Sequence, residues 1–211
     1  MVRNFQARLL GWFATNGRIL PWRRTRDPYR VLVSEFMLQQ TQVSRVAQYY
    51  PRFLKRFSSV ERLAQATPRA VREAWDGLGY YARARNLHLL AKQVSGVGCR
   101  VPDTIEELVK LPGVGRYTAG AVACFAYEKP VAAVDTNVAR VIARVFLGKE
   151  NGKVKRKERI WEIAERIVPK DGKRAWKFNQ GMMELGAMVC VARSPKCGEC
   201  PVRAQCKTGR R

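Results

Sequence analysis

Leu111-Pro112-Gly113-Val114-Gly115-Arg116-Tyr117-Thr118-Ala119-Gly120 decides the fold, together with Val134-Asp135-Thr136-Asn137 further along the chain. Two glycines flank one small apolar residue directly after the apolar end of a helix. Glycine lets the backbone turn tightly and lets another backbone come close. A new helix starts near Arg116, so the N–H groups of its first turn lack partners within the helix and have its dipole behind them. Gly113, Val114, Gly115 and Arg116 are therefore candidates to hold an anion, and a nucleic-acid phosphate fits. A packing joint between two helices has the same local sequence. Asp135 weighs against that bland reading. It follows the apolar run Val131-Ala132-Ala133-Val134 and precedes Val138, Ile142, Val145 and Phe146 at helical spacing. An acid in that place is a helix N-cap, a working carboxylate, or both.

Composition narrows the class. Lys and Arg number 40 against 17 Asp and Glu in 211 residues, a formal charge of +23. An enzyme of neutral substrates has no need of that excess; a polyanionic partner does, and a nucleic-acid backbone is the commonest one. The charge is spread along the chain, which excludes a basic tail. A highly solvated surface of the thermophile kind would carry Glu alongside Lys. The length fits one compact unit or two lobes sharing a core. No run of 18 apolar residues is present, and Met1-Val2-Arg3-Asn4-Phe5 lacks the apolar core of a signal peptide. The expectation is a cytoplasmic protein, associated with the nucleoid, with no membrane partner. Six cysteines in such a chain read as metal ligands before disulfides.

Phe5, Leu9, Trp12 and Phe13 recur at helical spacing and predict a first helix ending at Asn16-Gly17. Arg18-Ile19-Leu20-Pro21-Trp22-Arg23-Arg24 is irregular, basic and aromatic, a composition that stacks on bases and pairs with phosphates. Asp27-Pro28 opens a helix containing Glu35, whose neighbours Val31, Leu32, Val33, Phe36, Met37 and Leu38 are apolar. Burial of a carboxyl group there would raise its pKa towards neutrality, as a general acid requires; the alternative is a glutamate on the one exposed face. Gln39-Gln40-Thr41 follows, with glutamines able to bond base edges and Thr41 placed to cap the helix through Val46 and Tyr50. Thr67-Pro68 starts a helix to Trp75, which stops at Gly77-Leu78-Gly79. Tyr80-Tyr81-Ala82-Arg83-Ala84-Arg85 begins the next; an aromatic pair beside two arginines is a candidate wedge into a base stack, with core packing the alternative for Tyr81. His88 is the one histidine and reads as structural.

Pro102-Asp103-Thr104 caps a short helix from Ile105 to Leu111. Lys149 to Arg159 is a basic run, read as a loop and helix start, and Ile160, Ile163, Ala164 and Ile167 form an apolar stripe. A helix through Ala175, Phe178, Met182 and Leu185 ends near Cys190. No alternating run of strand length appears, so the fold class is all-α. The last constellation is Cys190-x6-Cys197-x2-Cys200-x5-Cys206, four thiols in seventeen residues. They can close around one zinc ion or around an iron–sulfur cluster. Cys99 and Cys124 fall outside that spacing, with Cys124 expected in the core.

Leu-Pro-Gly-Val-Gly at 111–115, the aspartate at 135 and the C-terminal cysteine spacing together resemble the helix-hairpin-helix DNA glycosylase superfamily, in its iron–sulfur branch. Ser34-Glu35-Phe36-Met37-Leu38-Gln39-Gln40-Thr41-Gln42-Val43 and Gly77-Leu78-Gly79-Tyr80-Tyr81-Ala82-Arg83-Ala84-Arg85-Asn86-Leu87 resemble the MutY-type adenine glycosylases within it. The resemblance covers nearly the whole chain. It implies a helical barrel over 27–130 and a second helical lobe of 1–26 plus 131–211, with DNA across the cleft and Glu35 and Asp135 at its base. The implied cofactor is a [4Fe–4S] cluster on Cys190, Cys197, Cys200 and Cys206, and a monovalent cation is expected at the hairpin.

The same resemblance implies the chemistry. A flipped adenine, mispaired with guanine or 8-oxoguanine in double-stranded DNA, would take a proton from Glu35 at N7. An ionised Asp135 would stabilise the oxocarbenium-like sugar or bond to it before water attacks. Arg18, Trp22, Arg23, Leu38 and Gln180 would shape the adenine pocket, Gln39 would join them, Gln40 and Tyr80 would fill or pry the stack, and Tyr117 and Asn137 would lie near the sugar and the carboxylates. A monomer is expected. Three departures stand out. The sequence stops just after the cysteine loop, where typical adenine glycosylases continue into a Nudix-like domain that recognises 8-oxoguanine. Thr136 stands where those enzymes commonly have glycine. Tyr117 stands where bifunctional relatives carry a catalytic lysine, which predicts a monofunctional enzyme; tyrosine there occurs in relatives that act on T:G mismatches, so removal of thymine or uracil opposite guanine is the alternative.

Overall fold

Helix α2, Pro28–Leu38, is buried on all sides from Val31 to Met37, as an apolar run without a polar stripe must be. The computed structural model describes residues 2–148 and 153–209. They fold into helices, and no strand occurs among them. None of these helices is long and apolar enough to cross a membrane. The chain divides into two units, Ile19–Tyr127 and Met1–Arg18 with Glu128–Arg211.

In the unit Ile19–Tyr127, α2 packs on α3 (Val43–Arg56), α6 (Ala82–Ser95) and α8 (Arg116–Phe125). The short helices α4 (Val60–Ala64) and α5 (Pro68–Ala74) lie against α6, and α7 (Ile105–Leu108) leads into α8. Asp27 caps α2 by accepting from Arg30 N at 3.1 Å, and Thr67 caps α5 by accepting from Ala70 N at 3.2 Å, which is why both sequences open helices. Trp75, Phe53 and Leu63 are fully buried between the helices. Cys124 is buried as well.

In the other unit, α1 (Val2–Asn16) packs on α11 (Gly172–Met188), and α9 (Thr136–Ile142) packs on α11 and α10 (Lys153–Ile167). Phe5 sits edge-on to Phe146 and Phe178, with ring centroids 5.1 and 6.1 Å away.

Several expectations need correction. Thr41 does not cap α3: Gln42 stands at that N-cap, without a side-chain bond, and the Thr41 hydroxyl accepts from Arg83 instead. The helix after Thr104 stops at Leu108, not Leu111, because the chain must turn before the glycines. Tyr81 is not core; its hydroxyl donates to Asp76 at 2.6 Å and Arg72 lies over its ring. Arg83, read beside Tyr80 as part of a surface wedge, is buried, while Arg85 is exposed. Pro21–Arg24 forms a 3-10 turn against α2 and α3, so it belongs to the unit Ile19–Tyr127. Helix α4 was not read from the sequence, and the helical pattern through Val145 and Phe146 ends in a π-helical turn, Ala143–Leu147. The loop expected at 149–152 lies outside the described residues.

Candidate active site and cysteine loop

Glu35 is 4 % exposed in the last turns of α2. Tyr117, the second residue of α8, reaches it: the phenol donates to Glu35 Oε2 at 2.7 Å. A residue from the helix after the hairpin thus addresses the buried acid of α2. The hairpin makes that possible. Gly113 sits at φ +77°, and a Cβ there would come within 2.9 Å of both Asn86 Cβ and Phe36 Cε1, so the turn packs directly on α2 and α6. Val114 is buried and its N–H donates to Leu111 O at 3.1 Å, so it serves the turn. Gly115, at φ −94°, is the N-cap of α8 and offers no side chain to cap it. Gly113, Gly115 and Arg116 are exposed, the arrangement an anion requires at a helix start.

Asp135 is the N-cap of α9: Oδ1 accepts from Val138 N at 2.7 Å and Oδ2 from Asn137 Nδ2 at 2.9 Å. Burial pushes its pKa above the usual carboxylate range, and the Val138 N–H, the Asn137 amide and Arg140 pull the other way. Asn137 Oδ1 in turn accepts from Arg140 Nη2 at 2.8 Å, and Arg140 Nε donates to Cys190 O at 2.8 Å. Thr136 is exposed.

The other expected pocket residues separate into groups. Arg18 makes a bidentate pair with the buried Glu184, both contacts at 2.8 Å, and Gln180 is buried on the same helix, α11. Trp22 is buried edge-on to Tyr50 at 5.7 Å, and Arg23 next to it is half-buried. Leu38 and Gln39 are half-buried at the end of α2. Gln40 and Tyr80, remote in sequence, line one cavity of about 480 Å3 with Thr41, Arg45, Gln48 and Leu78.

Cys190, Cys197, Cys200 and Cys206 line a single apolar-walled cavity of about 260 Å3, with Val145, Leu185, Val189 and Val202 behind them. Among the described residues no three His, Cys, Asp or Glu side chains converge to hold one metal ion; the thiols stand around a space, which fits a polynuclear cluster. Arg144 Nη1 lies 3.4 Å from Cys190 Sγ and Gly209 N donates to Cys206 Sγ at 3.2 Å, N–H groups of the kind that tune sulfur ligands.

Residues 33–166 match the family of HhH-GPD superfamily base excision DNA repair proteins. The chain belongs to the HhH-GPD superfamily. Residues 190–206 match the iron–sulfur binding domain of endonuclease III, and the group held there is a [4Fe–4S] cluster. Relatives named adenine DNA glycosylase include those of Rattus norvegicus and Homo sapiens, each 42 % identical over all of this chain, and of Mycobacterium tuberculosis, 44 % identical over 92 % of it. The chain spans 42 %, 40 % and 64 % of the lengths of those three relatives. Among solved structures it is similar to a thermostable thymine-DNA glycosylase, with a TM-score of 0.89, 34 % identity, and coverage of 99 % of this chain and 96 % of that one. It is also similar to endonuclease III in a trapped covalent intermediate with DNA, with a TM-score of 0.82, 26 % identity, and coverage of 99 % and 95 %.

Some residues of this HhH-GPD protein were invisible to sequence reasoning. Asn179, in mid-helix, pins the extended segment that delivers Asp135: its Oδ1 accepts from Ala133 N at 3.1 Å and its Nδ2 donates to Val131 O at 2.9 Å. Gly186 lets α11 approach α9, since a Cβ there would lie 2.6 Å from Asn137 Cβ. Glu184 is buried by its pairing with Arg18, 166 positions away. The one usable signal was that polar residues interrupt the apolar stripe of α11.

Proposed function

We propose that this HhH-GPD protein is a monofunctional DNA glycosylase that removes adenine mispaired with guanine or 8-oxoguanine from double-stranded DNA. The observation that carries the reading is the buried Glu35 with Tyr117 donating to one of its carboxyl oxygens. In this reading Glu35, set among apolar side chains, acts as the general acid and Tyr117 fixes its orientation. Adenine has N7 to receive the proton; thymine has no such site. Protonation makes adenine a better leaving group, the C1′–N9 bond breaks with its electron pair going to the base, and positive charge develops on the sugar. Asp135, its oxygens held by Val138 N and Asn137, stabilises that charge, and water completes the hydrolysis after direct attack or after a covalent sugar–Asp135 adduct. The [4Fe–4S] cluster, when bound, supplies a structural crosslink of the cysteine loop. The names of the relatives at 42–44 % identity support the choice of adenine.

The remaining assignments belong to the same reading. Arg18, Trp22, Arg23, Leu38, Gln39 and Gln180 contact the base. The exposed Gly113, Gly115 and Arg116, with a monovalent cation at the turn, hold a phosphate. The protein works as a cytoplasmic monomer on the nucleoid.

Removal of thymine or uracil opposite guanine is the second reading. Tyr117 and the 0.89 TM-score to a thymine-DNA glycosylase favour it. Single-turnover base release from matched sequence contexts carrying A:8-oxoguanine, A:G, T:G and U:G separates the two. Adenine is expected to leave fastest; faster loss of T or U overturns the adenine reading.

A further inference from the structure

We infer that Arg83 is a positioning residue whose buried guanidinium clamps two separate turns together and so presents Gln40 and Tyr80 as one preformed wedge towards the duplex. The inference rests on the reading of the protein as an enzyme that takes a base out of the stack.

Gln40 follows α2 and Tyr80 precedes α6, and both hold non-glycine residues in the left-handed region, at φ +55° and +49°. L-residues adopt that conformation only where surrounding contacts impose it. Arg83 supplies those contacts on both sides. Towards the first turn, Nη1 donates to Phe36 O at 3.1 Å, to Met37 O at 2.8 Å and to Gln39 O, while Nη2 donates to Thr41 Oγ1 at 3.0 Å. Towards the second, Nη2 donates to Leu78 O at 3.1 Å and Gly79 O at 3.0 Å, and Nε lies 3.4 Å from Tyr80 O.

The chemistry explains why arginine stands here. The carbonyls of Phe36 and Met37 belong to the last turn of α2, where no N–H of the helix remains to serve them and where a cation is favoured by the dipole. One planar fork with five N–H donors reaches both turns at once; a lysine ammonium, with three donors at one point, does not. Arg83 is 7 % exposed and its hydrogen-bond partners are carbonyls and a hydroxyl. A buried cation bonded to neutral acceptors is costly, so its retention is best explained by what it holds. Its guanidinium lies 5.5 Å from the Trp75 ring centroid and 5.4 Å from that of Tyr80, which orients the Tyr80 ring by a cation–π contact. Trp75 Nε1 donates to Gly79 O at 3.2 Å, bracing the same turn from below. The result is an exposed side chain on each turn, Gln40 and a Tyr80 left 62 % exposed, facing one cavity.

The test compares wild type, Arg83→Lys, Arg83→Gln and Thr41→Val on a duplex carrying 2-aminopurine beside an A:G mismatch. Fluorescence on binding reports unstacking, saturating single-turnover assays report base release, and equilibrium titration reports duplex affinity. Arg83→Gln is expected to lose the fluorescence rise and to slow saturated base release by about 10- to 100-fold, the effect of losing charge-assisted bonds, with affinity for matched duplex unchanged. Arg83→Lys recovers only part of both. Thr41→Val, which removes one acceptor and keeps the fold, shows a smaller loss of the same kind. Should Arg83→Gln not fold, Arg83→Lys and Thr41→Val decide. Variants that unstack the probe as wild type does, or that lose matched-duplex affinity in step with base release, overturn the clamp. Wild type that unstacks the probe but releases no base defeats the glycosylase reading and leaves the clamp to be judged on unstacking alone. Wild type that does not unstack it overturns both.

Discussion

The Tyr117 phenol donates to Glu35 Oε2 at 2.7 Å, joining the helix after the hairpin to the buried acid of α2. Removing the hydroxyl leaves a buried carboxyl oxygen without its donor. A hydrogen bond to a group of this kind contributes about 1.5–3 kcal/mol, so Tyr117→Phe should slow single-turnover base release by about 10- to 100-fold with little change in duplex affinity. Unchanged release would remove Tyr117 from the mechanism.

With tyrosine at that position, no lysine Schiff base can form there. Wild-type protein mixed with its substrate and borohydride should give no trapped protein–DNA adduct, and strand breaks should appear only after heat or alkali. Efficient trapping would show an amine elsewhere in the chain at work. Tyr117→Lys is expected to yield some trapped adduct.

Asp135→Asn should lower base release by about 10²- to 10³-fold, the usual cost of losing one preorganised electrostatic group. It should also raise stability. Burial holds the folded-state pKa of Asp135 above its ordinary value. A raised pKa means the fold favours the protonated form: that contribution is complete below the ordinary aspartate range and is lost as pH rises through the folded value. The asparagine variant, which keeps the N-cap, should therefore melt a few degrees above wild type at neutral pH. The gap should close on acidification. Thermal melts across pH 3–8, a range spanning the ordinary carboxylate values, test it; a variant that melts lower at every pH contradicts the burial argument.

The two hairpin glycines should behave differently. Gly113→Ala places a Cβ 2.9 Å from Asn86 Cβ and Phe36 Cε1 at a φ of +77° and should cost about 2 kcal/mol of stability. Gly115→Ala meets nothing within 4 Å, so stability should stay within about 0.5 kcal/mol. Its effect should fall on binding, weakening all duplexes alike, matched or mismatched. Affinity itself should drop steeply with salt. A Gly115→Ala protein with wild-type affinity would mean that the hairpin does not touch the duplex.

Cys200→Ser, or exhaustive chelation, should abolish the iron–sulfur absorbance and lower the melting temperature, because the cluster ties down a loop whose described regular structure is two 3-10 turns, Cys197–Glu199 and Arg203–Gln205. Metal analysis of native protein should find iron and sulfide. Stoichiometric zinc without iron would overturn the cluster assignment.

Much of this protein was legible in one dimension because the signals are local. Asp27, Thr67, Thr104 and Asp135 cap helices through bonds to residues three positions on, and the cysteine spacing is short enough for one loop to close. Glu35 was marked by the apolar residues around it, since a helix with no polar stripe must be buried. What sequence could not reach were pairings set by packing. Thr41 looked like a cap and is instead an acceptor for Arg83, 42 positions away. Arg83 and Arg85 are two residues apart and alike in composition, yet α6 turns one into the interior and the other to solvent. Arg18 and Glu184, Asn179 and Ala133, and Tyr117 and Glu35 are each joined across tens of residues. Periodicity records which face of a helix is buried; it carries no record of what that face is buried against, and that is decided only when the helices pack.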